Sequence, residues 1–338
     1  MEGLRVKADY LLEARNLTVR FKAGLSSLFG KSVSFSAVDK CSLGVRSGEV
    51  VSLVGESGCG KTTLGKAMIG LIKPTHGTVI YGGKDVWKMK GKEYNSFRRN
   101  AQIIHQDPYA SLHPVKSVYD IVSSGIRYHK LLPSENEIRS KVVELLNLVG
   151  LTPPEYFMNK YAHQLSGGQR QRVAIARAIS LNPKFIVADE IVTMIDVSLR
   201  IGILNLLLDL RKRLDASFLF ITHDFGVARY FAEEGRTAVM YLGSMMEVGK
   251  TDELIHNPLH PYTKALLSAV PVPDPTLSKK RKMIELRKID PPNPINPPPG
   301  CKFSDRCPFL IEGKCDKQTP ELVEGKPEHF VSCYLFES

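Results

Sequence analysis

No run of about 20 uninterrupted apolar residues occurs in this sequence of 338 residues, so no segment has the length and character of a bilayer-spanning helix. The opening Met1-Glu2-Gly3-Leu4-Arg5 lacks the apolar core of a secretory leader. The expectation is a soluble, intracellular protein that can still dock against a membrane protein. Acidic residues are in deficit, 35 Asp and Glu against 46 Lys and Arg, for a net charge of +11. Such an excess suits phosphate contacts to nucleic acid. The basic residues are dispersed, however, and the one dense run, Lys279-Lys280-Arg281-Lys282, has no aromatic interleaving and leads into a proline-rich segment, so no nucleic-acid partner is expected. There is no internal repeat. Cysteine is scarce upstream, at Cys41 and Cys59, and crowded in the tail, at Cys301, Cys307, Cys315 and Cys333. In a reducing compartment a tail cluster suggests a metal ahead of disulfides.

From about residue 8 to 250, short apolar runs alternate with longer helical patterns, which predicts an α/β fold with mostly parallel strands. Candidate strands are 49–54, 101–105, 184–189, 217–222 and 237–242. Phe185-Ile186-Val187-Ala188 is apolar on consecutive residues, as a strand buried on both faces must be. Between roughly 115 and 181 the patterns are helical only, which predicts a helical insertion. Beyond 270, Pro271, Pro273 and Pro275, the basic run and Pro291-Pro292-Asn293-Pro294-Ile295-Asn296-Pro297-Pro298-Pro299 predict a stiff, extended connector to a small terminal module.

Gly55-Glu56-Ser57-Gly58-Cys59-Gly60-Lys61-Thr62 fits G-x-x-x-x-G-K-[ST], between the apolar Val50–Val54 and a helical Thr63–Ile69. Glycines let successive amide N–H groups turn inward on a polyphosphate above the positive end of the next helix. Lys61 would reach the β- and γ-phosphates, and the Thr62 hydroxyl would ligate Mg²⁺. Asp189 and Glu190 end the buried apolar run, at the carboxyl end of a strand, where sheets of this class bind ligands. Asp189 would organise Mg²⁺, and Glu190 would accept a proton from an attacking water or orient it. Leu165-Ser166-Gly167-Gly168-Gln169 opens a helix whose first N–H groups and serine hydroxyl form an anion site.

With these motifs in this order, residues 8–270 resemble the nucleotide-binding subunit of an ATP-binding cassette (ABC) transporter: a P-loop NTPase cassette with a RecA-like core and a helical subdomain, about 115–181. The resemblance makes Gly55, Glu56, Ser57, Gly58, Cys59, Gly60, Lys61 and Thr62 the Walker A loop, with Thr63 completing the nucleotide-binding stretch. It makes Gln106 the Q-loop glutamine, bridging metal, water and the transmembrane partner. Leu165 to Gln169 become the signature, with Ser166, Gly168 and Gln169 its nucleotide-binding residues, Asp189 the Walker B aspartate, Glu190 the catalytic carboxylate, Asp196 the D-loop aspartate and His223 the switch histidine. Mg²⁺ would be held by Thr62, Gln106 and Asp189. Phe21 aligns best with the adenine-stacking aromatic, with Phe35 a competitor. In this family one subunit's signature closes over ATP held by another's P-loop, which implies a dimer of cassettes acting on two separate permeases. One stretch departs from the pattern: the usual Asp-Glu-Pro-Thr-Ser-Ala-Leu-Asp reads Asp189-Glu190-Ile191-Val192-Thr193-Met194-Ile195-Asp196. The difference bears on cross-subunit communication rather than on nucleotide binding.

Asn257-Pro258-Leu259-His260-Pro261-Tyr262 and Gln106-Asp107-Pro108-Tyr109 further resemble oligopeptide and dipeptide importers, more their F-type ATPase than its D-type partner. The implied division is a cassette over 8–256 and a C-terminal region over 257–338. Implied partners are a second, different ATPase subunit and, indirectly, an external solute-binding protein, with the chain peripheral on the cytoplasmic face of a prokaryotic membrane. The cargo class extends to related solutes such as oligosaccharides. Cys301, Cys307, Cys315 and Cys333 read C-x5-C-x7-C-x17-C, four thiolates that suit either zinc or an iron–sulfur cluster. Likeness to cysteine tails of peptide-importer ATPases favours a 4Fe-4S cluster, with Zn²⁺ the alternative. Competing readings are a soluble cassette ATPase of DNA repair or translation, and a nucleotide-binding redox or metal sensor.

Overall fold

The computed structural model describes residues 10–23, 33–193, 195–270 and 283–337. Met194 of the D-loop, the basic run Lys279–Lys282 and Pro271, Pro273 and Pro275 lie outside the described residues. The described residues divide into two compact units, one of those within 10–12, 45–49 and 81–220, the other of those within 13–44, 50–80 and 221–337.

In the first unit Ala101–Ile104 and Phe185–Asp189 pair in parallel, in register from Ala101 opposite Phe185 to Ile104 opposite Ala188. All five residues of Phe185–Asp189 are buried, the two-sided cover that its unbroken apolar run demands. Ser217–Thr222, equally buried, is the next strand on that side. The helices Val118–Tyr128, Glu135–Leu148, Pro154–Met158 and Gly167–Ile179 succeed one another with no strand between them among the described residues. Their starts are written locally: the Ser117 hydroxyl accepts from Asp120 N–H, and Ser134 from Glu137 N–H. Ile138, Val142, Leu145 and Leu146 recur at helical spacing and are the buried stripe of their helix.

In the second unit Val50–Val54 pairs in parallel with Arg236–Tyr241. The far side of that strand departs from the parallel expectation. Ser244–Lys250 runs antiparallel to it, His329–Val331 pairs antiparallel with Ser244–Lys250, and Val323–Lys326 closes the order. Val33–Arg46, Tyr10–Ala23 and His76–Tyr81 are neighbours in a second sheet.

The expected small terminal module is corrected by this arrangement. Cys301, Cys307 and Cys315 belong to one core cluster with Val54, Phe225, Tyr241, Tyr262 and Phe303, and Cys333 packs with Leu259 and Val331. Apolar burial and strand pairing order the tail inside the unit that carries the phosphate loop.

Candidate functional site

The buried strand Val50–Val54 delivers the chain into the loop Gly55–Gly60, and helix Lys61–Met68 starts directly after it. Gly60, the residue before the helix, has φ 105° and offers no side-chain cap. Gly60 has no room for a side chain: a Cβ there would stand 2.1 Å from the Ala37 carbonyl oxygen. Lys61 is only 4% exposed, and its ammonium donates to the carbonyls of Gly55 at 2.8 Å and Glu56 at 2.9 Å. The amine is thus fixed over the loop by the loop's own backbone. Burial pushes the Cys59 thiol up, partly offset by the Lys61 charge. Ser57 and Gly58 are exposed, while Thr62 and Thr63 are half-buried.

In the same unit His223 is exposed just past the strand Ser217–Thr222, and the Asp224 carboxylate after it accepts from Gly226 and Val227 N–H to start helix Phe225–Phe231. Phe21 and Phe35 stand with ring centroids 6.1 Å apart. Of the two, Phe35 lines a cavity of about 320 Å³, together with Arg20, Ser36, Asp39, Leu242 and Lys302.

The first unit holds the other motifs. Gln106 Nε2 donates to the Glu190 carboxylate at 2.9 Å, bringing together two predicted site residues 84 positions apart. Glu190 has φ 45°, in the left-handed region, a turn that a non-glycine residue adopts at a cost of about 1–3 kcal/mol. Asp189 before it is buried at the strand end. Ser166 and Gln169 form a reciprocal capping box: the serine hydroxyl accepts from Gln169 N–H, and the glutamine side chain accepts from Ser166 N–H. Gly168 follows in the first turn of Gly167–Ile179, and the exposed Asp196 precedes helix Val197–Leu214.

Two side chains that the sequence motifs do not assign to the nucleotide site also reach the phosphate loop. The Tyr262 hydroxyl accepts from Glu56 N–H at 3.0 Å, and Arg306 pairs with the Glu56 carboxylate.

The tail cysteines converge, all four lining one cavity with Phe303 and Tyr334. Its volume is about 10 Å³, room for roughly one water. Among the described residues no three His, Cys, Asp or Glu side chains are arranged to hold a metal ion. Burial raises Cys301 to about 12 and Cys333 to about 11, and raises Cys307 as well, so these thiols keep their protons at neutral pH. The donor set is that of a four-thiolate site, but the space does not admit a four-iron cube without movement of the side chains. A formed cluster site is therefore not supported among the described residues.

A phosphate loop between a buried strand and a helix, and a strand ending in carboxylates with Gln106 hydrogen-bonded to Glu190, are the features of a P-loop ATPase, and the comparisons place it in the ABC class. Residues 38–193 match the ABC transporter family, and residues 246–315 match the family described as oligopeptide/dipeptide transporter, C-terminal region. The chain is 45% identical to the putative oligopeptide transport ATP-binding protein YkfD of Bacillus subtilis (strain 168), over 97% of this chain and 96% of that one. It is also 45% identical to the oligopeptide transport ATP-binding protein OppF of Salmonella typhimurium, over 98% of each. Among solved structures, the dimeric post-hydrolysis state of the ATP-binding cassette MJ0796 with ADP and Pi matches with a TM-score of 0.62 at 30% identity, covering 71% of this chain and 98% of that one. CbiO1 of Clostridium perfringens, part of the transporter complex cbiONQ, matches with a TM-score of 0.61 at 28% identity, covering 74% of this chain and 92% of that one. The chain belongs to the family of oligopeptide transport ATP-binding proteins, the ATPases of ABC importers. That near full-length likeness does not favour the readings as a DNA-repair or translation ATPase or as a sensor.

Proposed function

We propose that this chain hydrolyses ATP to drive uptake of oligopeptides, dipeptides or related solutes through two separate permease subunits. The observation that carries the reading is the loop Gly55–Gly60 at the start of helix Lys61–Met68, with the Lys61 amine fixed over it by the Gly55 and Glu56 carbonyls. Lys61 would bind the β- and γ-phosphate oxygens, and Gly55 to Thr63 would enclose the polyphosphate. Thr62, Asp189 and Gln106 would hold Mg²⁺, which when bound neutralises charge gathering on the phosphate oxygens. Glu190 would take a proton from the attacking water, with Gln106 orienting both, a role that the 2.9 Å contact between their side chains supports. His223 would stabilise the oxygens of the transferred group. Ser166, Gly168, Gln169 and Asp196 would act on nucleotide held by a second cassette, and a different ATPase subunit is the proposed partner. Phe21 would stack on the base, with Phe35, which lines the neighbouring cavity, as the competing platform.

No helix among the described residues is long and apolar enough to cross a membrane. A peripheral position on the cytoplasmic face of the prokaryotic membrane, beneath the permeases and an external solute-binding protein, follows from the proposed role. The division into a cassette over 8–256, with its helical part at about 115–181, and a C-terminal region over 257–338 is proposed on the same ground. In the assembled transporter, Glu190→Gln should lower steady-state hydrolysis about 10²-fold or more while ATP binding persists. Unchanged turnover would remove Glu190 from its role.

For the tail we propose, as the finer reading, that Cys301, Cys307, Cys315 and Cys333 take up a 4Fe-4S cluster, with Zn²⁺ the alternative. Convergence of four thiols on one cavity supports it, and the small volume of that cavity opposes it. Anaerobic purification with metal analysis decides. About four irons per chain support the cluster, stoichiometric zinc replaces it, and metal-free colourless protein ends the reading.

A further inference from the structure

The phosphate loop is gripped by the tail. Arg306 lies 250 residues from Glu56, and its guanidinium nitrogen Nη1 stands 2.9 Å from both oxygens of the Glu56 carboxylate. The arginine side chain is 7% exposed and the glutamate 28%, so the pair is largely withdrawn from solvent screening. The same nitrogen donates to the Tyr241 hydroxyl at 3.3 Å, and the guanidinium lies beside the rings of Tyr241 and Phe303. Tyr241, Tyr262 and Phe303 pack ring on ring, with centroids 4.6 to 5.5 Å apart. Through Tyr262 that cluster also holds the Glu56 N–H. Arg306 itself sits in a tight turn, its N–H donating to Phe303 carbonyl, with Cys307 N–H donating to the same oxygen.

Glu56 is the second residue of the loop that the proposed function assigns to polyphosphate, which is a poor place for a bare carboxylate. Unpaired, it would repel the ligand and be free to swing the loop. We propose that Arg306 is a positioning residue for nucleotide binding: it neutralises Glu56 and locks the loop, so that affinity for ATP depends on the C-terminal segment between Cys301 and Cys307. The inference rests on the nucleotide-site reading above, and the experiment separates the two.

The test is equilibrium titration of the purified full-length chain with a fluorescent ATP analogue and Mg²⁺, alongside thermal unfolding without nucleotide. Wild type should bind and Lys61→Ala should not; if wild type itself fails to bind, the nucleotide-site reading falls and this inference with it. Arg306→Ala should weaken binding on the order of tenfold. Arg306→Lys, which keeps the charge but not the planar guanidinium beside the Tyr241 and Phe303 rings, should fall between the two. The diagnostic variant is the double one: Glu56→Gln added to Arg306→Ala should recover most of the affinity, because the offending charge is gone while any packing defect remains. Binding by Arg306→Ala within twofold of wild type overturns the inference, as does a double variant as weak as the single one. If Arg306→Ala does not fold, the same comparison is made on Arg306→Lys with and without Glu56→Gln. No weakening there, or no recovery, is equally fatal.

Discussion

Replacing Gly60 by alanine puts a methyl group where the loop meets the Ala37 backbone. Its Cβ would stand 2.1 Å from the Ala37 carbonyl oxygen and 2.9 Å from Met240 Cε, where ordinary contact begins at 3.4 Å. Met240 ends in a flexible side chain and can yield, but the Ala37 oxygen belongs to a strand and cannot move alone. Overpacking of this kind costs about 1–3 kcal/mol. Holding a side-chain-bearing residue at φ 105° costs about 1–3 kcal/mol more. The sum, roughly 2–6 kcal/mol, is a large share of a net stability of about 5–15 kcal/mol. Gly58→Ala is the matched control: it lies two residues away in the same loop at φ 77°, with no atom within 4 Å of the added Cβ. Both changes remove the same chain entropy from the unfolded state, so that contribution cancels in the comparison. The control should cost only its conformational share, about 1–2 kcal/mol. Urea unfolding of the two variants measures the difference, with the midpoint falling further for Gly60→Ala at equal m-value. Equal midpoints would refute the reasoning, because the clash with Ala37 would then carry no energy.

Three other outcomes follow from described contacts. His260 is buried and its imidazole is held down to about 4, by burial first, from an ordinary 6.5. The unfolded chain therefore takes up the proton first, and stability contributed by neutral His260 should be lost as pH falls from 6.5 towards 4, by about 3 kcal/mol. Urea midpoints across that window should show a shallower fall for His260→Gln. Glu247 is fully buried and accepts from Leu259 N–H, His260 N–H and His329 Nε2, so Glu247→Ala should destabilise by about 3–5 kcal/mol in thermal unfolding. Ser166→Ala removes one half of the capping box and should cost about 1 kcal/mol, with Ser166→Thr close to wild type in the same assay.

Much of the α/β core was legible because its signals are local. Phe185–Asp189 reads as a two-face strand from four consecutive apolar residues, and the loop before Lys61 is fixed by glycine spacing. The helical run from Val118 to Ile179 shows its period and its caps in the same few residues. The antiparallel strands were not legible. Val323–Lys326 has four residues with a glycine among them, and Pro327 in the turn to His329–Val331 reads as an interruption, although it lies between the strands where no ladder bond is needed. The tail's destination was equally hidden. Three of its cysteines, Cys301, Cys307 and Cys315, enter an aromatic core built by Tyr241, Tyr262 and Phe303, a partnership that only tertiary packing creates. For the site, motif order singles out Lys61, Gln106 and Glu190 as candidates, whereas the Arg306 and Tyr262 contacts to Glu56 join residues 250 and 206 positions apart in sequence.

The hairpin Val323–Val331 also guards the rim of the sheet against its own kind. It covers Ser244–Lys250, in which Met245, Met246 and Val248 are buried. A polypeptide cut after Ala269 would keep every nucleotide motif yet bare that strand's backbone donors and acceptors beside greasy side chains, a template for recruiting copies of itself. Shortened versions of this ATPase should therefore form soluble aggregates by light scattering even where they still bind nucleotide, and the final seventy or so residues serve colloidal safety as much as architecture.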